Sequence, residues 1–305
     1  MIRNSFIFLI LLAASFNAFS QGCSDAGFCS LGALKNVTIG NQPKHTLDFG
    51  FNFGYGDQKT KTFNNYLQYG FTLNKYWFIQ GKLTSTYATG FLGSKFNLGD
   101  VFSVVTYSPT IYGDNVIHLV GGIKIPLTTA NDKNSTGTAL PLDYQSSIGT
   151  YDILGGINYV YHKHLEADLA LQVPVIQNNK STFSPALYSG NTEVHFVPTV
   201  NFERRPDVLF RLGYYINLPF AISIKPNLLA IYHLGEDSYE NTQGQRTALY
   251  GTRGLTLNEG INLTEQFKNN NRLEIIVAAP VVGRKLRADG LTRKLVVNIQ
   301  YSLAF

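Results

Sequence analysis

Apolar side chains recur at every second position in a series of segments along this chain. Leu47, Phe49, Phe51, Phe53 and Tyr55 alternate with Asp48, Gly50, Asn52 and Gly54, and Leu67, Tyr69, Phe71 and Leu73 repeat the period. The two-residue break Asn74-Lys75 then leads into Trp77, Ile79 and Leu83, the pattern of a tight hairpin. In the clearest run, Leu165, Ala167, Leu169, Leu171, Val173 and Val175 alternate with His164, Glu166, Asp168, Ala170 and Gln172. A helix would scatter those carboxylates around its surface, whereas a strand points them all one way. The chain ends on the same period, with Leu295, Val297, Ile299, Tyr301, Leu303 and Phe305 set against Lys294, Asn298, Gln300 and Ser302. That last segment alone also suits the closing strand of a soluble sandwich.

Taken together, the segments predict an all-β fold: a transmembrane, antiparallel, up-and-down β-barrel. One face of each strand suits lipid, and the other suits a polar lumen. Carboxylates turned to lipid would cost several kcal/mol, so the polar face is the inward one. The breaks at Asn74-Lys75 and His162-Lys163-His164 are short, whereas Thr128 to Gly149, Gln177 to Thr192 and Gly235 to Arg253 are long and polar. Long loops are external in such barrels, which puts the short turns in the periplasm. Counting runs gives 13 strands, against the even number usual in bacterial barrels. The parity error lies between Gln177 and Phe220, where Glu203 to Asp207 and Asn217 to Pro219 both read as short turns. The expectation is about 12 strands, with 14 open. Pro174 and Pro198 interrupt apolar runs and are expected at strand ends or bulges.

The amino terminus carries an export pattern. Arg3 precedes an apolar core from Ile7 to Ala14, and Ala18-Phe19-Ser20 offers small residues for cleavage before Gln21. The expected organisation is a signal peptide over 1–20, a periplasmic or plug segment over 21–45, and a barrel over 46–305. A lipoprotein reading, acylated at Cys23, is disfavoured because Ser20-Gln21-Gly22 lacks the usual apolar residue. The expected location is the bacterial outer membrane. Tyr301, Leu303 and Phe305 look like the terminal signal read by the barrel assembly machinery, which with outer-membrane lipid is an expected partner.

Composition narrows the function classes. The formal charge is +5 and the basic residues are scattered, so the footprint of a nucleic-acid binder is missing. Beyond the signal, no segment approaches the roughly 18 consecutive apolar residues of a membrane helix. Catalysis would need a Ser or water activated by His and a carboxylate. The six His are His45, His118, His162, His164, His195 and His233, and none shares a recognisable motif with a Ser and an acid. His162-Lys163-His164 reads as an exposed turn rather than a metal site. No phosphate loop stands out, because Gly50-x-x-x-Gly54 lies in a strand and lacks the Lys-Ser/Thr ending. No enzyme, cofactor or metal is expected.

Two mid-chain blocks are more specific. Gly121-Gly122-Ile123-Lys124-Ile125-Pro126 runs G-x-K-x-P into a polar loop. Gln145-Ser146-Ser147-Ile148-Gly149-Thr150-Tyr151-Asp152-Ile153-Leu154-Gly155-Gly156 opens the return strand on G-[ST]-x-D. Together they resemble an outer-membrane, transporter-like family labelled for the meta-pathway of phenol degradation, a relative of the long-chain fatty-acid channels. The resemblance covers about residues 100 to 305, weakly beyond Leu255. It implies a passive channel for small solutes, hydrophobic ones included.

On this register Asp48, Lys82, Lys124, Asp152, Glu166, Asp168, Glu193, His195, Arg211, Lys225, Glu274 and Lys294 face the lumen. Lys124 and Asp152 fall on adjacent strands, where they either pair as a structural bridge or bind a passing solute, and the bridge is preferred. Acids and bases nearly balance, whereas a strongly selective ion pore would show one sign. Cys23 and Cys29 precede the first strand, and an oxidising periplasm favours a disulfide between them over metal or redox chemistry. By analogy with the fatty-acid channels, this segment is either a plug for the periplasmic half of the lumen or a stiffened periplasmic tail. A structural or surface-interaction barrel with a closed lumen is the alternative function. The sequence does not identify the solute.

Overall fold

The computed structural model describes residues 43–109, 114–188, 195–289 and 294–305. The expected signal peptide, Cys23 and Cys29 with their expected disulfide, and the expected periplasmic or plug segment as far as residue 42 lie outside the described residues, as does Glu193.

Alternation becomes strand in the segments around Phe49, Leu67, Ile79, Leu169 and Ile299. The long strands are β1 (His45–Tyr55), β2 (Lys61–Thr72), β3 (Trp77–Gly90), β4 (Gly93–Tyr107), β5 (Val116–Pro126), β6 (Thr150–Tyr161) and β7 (Leu165–Gln177). After these come β8 (Asp207–Tyr214), β9 (Ile216–Leu218), β10 (Ile222–His233), the loop hairpin β11 (Ser238–Glu240) and β12 (Arg246–Ala248), β13 (Gly254–Gln266), β14 (Arg272–Val282) and β15 (Leu295–Ala304). Each wall strand pairs antiparallel with its neighbours, β10 pairs directly with β13, and β1 pairs with β15 to close the barrel. The wall has 13 strand segments, but β8 and β9 both lie along β10 as one stave broken at Tyr215, leaving 12 staves.

This settles the parity. Residues 195–206 form no strand, so the run read before Glu203 is external loop and Glu203 to Asp207 is not a short turn between strands. The real turn follows Leu218, where Phe220 and Ala221 both adopt positive φ, 64° and 57°. A two-residue hairpin turn of this hand usually uses Asn or Gly, and Phe-Ala carries no such signal. His162 and Lys163 do the same at the β6–β7 turn, with φ of 48° and 62°. Asn74 shapes the β2–β3 turn differently, its side-chain oxygen accepting hydrogen bonds from the backbone N–H groups of Tyr76 and Trp77 at 2.8 and 3.1 Å.

Proline follows the rule for ladders. Pro174 sits beside a bulge, where Tyr151 pairs with Ile176 but Asp152 with Pro174, and Pro198 lies in a loop. On β1, Gly50 is required by close approach, because a Cβ there would lie 1.8 Å from the Tyr66 ring that covers it.

The outward face is apolar. Phe49 is 48% exposed while its inward neighbour Asp48 is 4% exposed, and Leu169 (53%) contrasts with Asp168 (1%) in the same way. Such a surface is stable against lipid and not against water. Aromatic rings gather toward both ends of the wall, with Trp77 beside Tyr107 at one end and Phe53, Phe63 and Tyr87 in sequence at the other. That is the girdle arrangement of a membrane barrel. At the closing seam the backbones of His45 and Phe305 exchange hydrogen bonds, at 2.9 and 3.1 Å.

The long loops 127–149 and 234–253, with the described parts of 178–206 and 283–294, all leave the same end of the barrel. They fold onto one another instead of extending, forming a lid with two apolar cores. One gathers Ala88, Leu92, Ala139, Leu140, Tyr144, Phe183 and Phe196. The other gathers Ala130, Leu142, Ile148, Phe202, Leu249 and Ala288.

Candidate functional site

The inward positions are set by strand parity, and they segregate by chemistry along the lumen. Toward the short-turn end, β6, β7, β8 and β10 bring together two acids and two bases. Arg211 Nε lies 2.6 Å from Asp168 Oδ2, and Arg211 Nη2 lies 3.2 Å from Glu166 Oε1. Lys225 Nζ lies 2.9 Å from the other Glu166 oxygen and donates to the Tyr215 hydroxyl at 3.2 Å. Asn158 donates to Asp168 at 2.5 Å. Nearby, Asn227 donates to Asn262, which donates to Glu274 at 2.9 Å. The four charges cancel, which is what allows them to be buried together.

Across the barrel, Gln68 donates to Asp48 at 2.7 Å, and the Tyr66 hydroxyl donates to Gln300 at 2.8 Å. Lys82 places its ammonium 3.7 Å from the centre of the Tyr66 ring, a cation–π contact in a desolvated setting. Farther toward the long loops, Phe102, Val104, Val120, Leu154, Ala170 and Leu209 form an apolar stripe, with Leu229 and Ile231 packed against it.

A second ionic layer sits beyond the stripe. Lys124 Nζ is 3.0 Å from Asp152 and 3.9 Å from Asp100, and it donates to the Thr150 hydroxyl at 3.0 Å. Gln172 donates to Asp152 as well, and Ser147 donates to Asp100 at 2.5 Å. Lys124 and Asp152 thus form the structural bridge, tied to a third charge, Asp100, that the sequence reading missed. At the rim, His233 faces a carboxylate from each ring nitrogen, Asp207 at 2.6 Å and Asp237 at 2.8 Å. Arg204 pairs with Asp207, and Arg284 pairs with Asp289 at 2.8 Å. Burial pushes the Asp289 carboxyl up, but the neighbouring Arg284, Arg204 and Arg287 outweigh it and hold it well below the usual carboxylate range.

The structure therefore gathers Asp48, Lys82, Lys124, Asp152, Glu166, Asp168, Arg211, Lys225 and Glu274 inside the barrel. Two expected lumen residues lie elsewhere. His195 is exposed in a loop, where its backbone N–H donates to Gln58 at 2.9 Å, and Lys294 is exposed just before β15. Both were assigned by extending a strand period into loop, where alternation no longer fixes direction.

Sequence reasoning also missed the rim network of Arg204, Asp207, His233, Asp237 and Asp289, whose members lie at strand ends or in loops, where alternation gives no direction. It missed Ser108 as well, whose hydroxyl contacts His118 Nδ1. That pair lacks the orienting acid of a catalytic triad, since His118 Nε2 has no hydrogen-bond partner. Among the described residues, other inward atoms buried without a hydrogen bond include Asn52 Oδ1, Gln80 Oε1, Thr106 Oγ1 and both amide atoms of Asn258. No group of three or more potential metal ligands occurs among the described residues.

No family model matches the chain, and no curated protein matches it. The family resemblance of the Gly122–Pro126 and Gly149–Asp152 blocks therefore rests on those short motifs alone. Among solved structures the chain is similar to the KdgM porin, at 8% identity over 85% of this chain and 99% of that one, TM-score 0.45. It is similar to the NanC porin at 9% identity, over 86% and 98%, TM-score 0.46. The translocator domain of the autotransporter NalP from Neisseria meningitidis gives 10% identity over 92% and 95%, TM-score 0.46. At these levels nothing about the site is carried across.

Proposed function

We propose that this chain is an outer-membrane channel that passively moves small solutes, hydrophobic ones included. The observation that carries the reading is the lumen wall. Most charges inside it are held in ion pairs or by amide partners, and the wall also carries an apolar stripe and amide and hydroxyl groups that the protein itself does not satisfy. A buried polar atom without a partner costs roughly 1–3 kcal/mol, so Asn258, Asn52, Gln80 and Thr106 favour water or a hydrogen-bonding solute at the wall. The mixture of acids and bases, with neither sign alone, argues against strong ion selectivity. The lipid-facing exterior and the terminal aromatic support the outer membrane as its place, with the barrel assembly machinery as the insertion partner. The residues bind and guide; none is assigned a catalytic role.

A second reading has its own support: a structural or surface-interaction barrel, favoured by the two apolar cores that close the loop end. Uptake of hydrophobic and polar solutes into liposomes carrying the refolded protein separates the two, comparing the full chain with one lacking residues 22–44. Solute-dependent flux supports the channel, and a rise on deletion supports the plug. Absence of flux from both forms favours the closed barrel.

A further inference from the structure

The lid's two apolar cores do not merge. Between them lies a cleft of about 110 Å³, bounded by segments from four different loops. Its apolar lining includes Leu142, Phe196, Val197 and Leu286, and its charged lining is Asp143, Lys285 and Arg287. Phe196 is held rigidly, its ring packed 6.3 Å from Phe183, 6.2 Å from Tyr144 and 6.2 Å from Phe91. Two cations against one carboxylate leave the lining positive by one charge, and Lys285 is exposed at its mouth.

We infer that this cleft binds a small organic anion with a flat apolar body, the simplest example being an aromatic monocarboxylate. The apolar body lies against Phe196 and Leu286, and the carboxylate sits on the side of Lys285 and Arg287. Each half of the site selects one half of the ligand. A neutral aromatic gains the apolar contacts without the charge, and a small inorganic-like anion gains the charge without the contacts. The site is separate from the lumen residues, and its occupancy can be read without any transport.

The test is calorimetric titration of the full chain in detergent micelles with benzoate, benzamide and acetate. Benzoate should bind saturably, benzamide about tenfold more weakly or worse, and acetate without saturation. Lys285→Glu should weaken benzoate about tenfold while leaving benzamide unchanged. Lys133→Glu, which reverses an exposed lid charge outside the cleft, should leave both unchanged. Equal affinity for benzoate and benzamide would overturn the inference, as would equal effects of the two Lys variants or no benzoate binding. Binding without flux would leave the cleft standing and remove the channel; flux without binding would do the reverse.

Discussion

Replacing Glu166 by Gln keeps the side chain's shape and one acceptor while removing its charge, and that charge is what Lys225 is buried against. Lys225 Nζ sits 2.9 Å from Glu166, with side-chain exposures of 6% and 1%, so little water screens the pair. After the substitution, Arg211 keeps Asp168 at 2.6 Å, whereas Lys225 keeps the neutral Tyr215 hydroxyl and a neutral amide. Breaking a buried pair from one side costs about 3–5 kcal/mol, because the remaining charge stays desolvated. The retained acceptor puts the expectation for Glu166→Gln near the low end, about 3 kcal/mol. Adding Lys225→Met removes the orphaned ammonium and should recover about 2 kcal/mol or more. Urea unfolding from lipid vesicles, followed by the loss of heat-modifiable migration, measures both variants. The reasoning fails if the single variant costs under about 1 kcal/mol, or if the double variant is no more stable than the single. In a conducting protein, the same single substitution removes one negative charge from the lumen and should shift the reversal potential toward anions.

Three further outcomes are expected. Asp289 has a folded pKa below its unfolded value, so its contribution is present above about pH 4 and is lost as pH falls below it toward the folded value; limited proteolysis of the external loops should show protection at pH 7 that fades toward pH 3, and Asp289→Asn should show reduced protection already at pH 7. Leu169→Arg places a cation on the lipid face at a position 53% exposed and should cost about 2–4 kcal/mol of folding stability in vesicles; a cost near zero would mean that this face is not in hydrocarbon. Phe183→Ala removes a fully buried ring from the lid and should cost about 3–5 kcal/mol locally, opening residues 178–206 to protease while heat modifiability shows the barrel intact.

How much of this was legible in the sequence depends on what fixes a side chain's direction. Inside a strand, parity does, so Asp48, Glu166 and Asp168 could be placed inward from alternation alone. The register shifts by one residue at the bulge beside Pro174, after which Val175 and Ile176 are both exposed and alternation no longer fixes direction. Outside the strands no period applies. Loop residues such as His195 were misplaced, and Asp237 and Asp289 were overlooked because they lie in loops, where no period shows that Asp237 meets His233 and Arg205 or that Asp289 meets Arg284. The expected 12 staves are found, and the raw count of runs exceeded them by one for a local reason: the apolar run before Glu203 is loop, and Phe220-Ala221 makes a left-handed turn with residues that carry no turn chemistry. The cleft was invisible because it is bounded by four loops whose mutual packing no local pattern encodes.

The rim network ties that packing to the barrel. Asp207 begins β8 and His233 ends β10, and through Asp237 and Arg204 they hold loops 234–253 and 178–206 to the wall. Arg284 adds the last loop, pairing with Asp289 and donating to the Thr252 carbonyl at 2.9 Å. Loops joined by two shared cores and one ionic ring part together rather than one at a time. Parting the first core exposes Tyr144, Phe183 and Phe196, and at roughly 1.5–3 kcal/mol for each large side chain this costs on the order of 5 kcal/mol. An open lid is then rarer than about one molecule in a thousand. Measured flux through the resting protein should accordingly be small even if the lumen conducts. A ligand in the seam raises it only by binding the parted cores more tightly than the closed ones. Benzoate titration and solute flux therefore need to be measured on the same preparation, since a ligand that binds the closed cleft more tightly would suppress the flux.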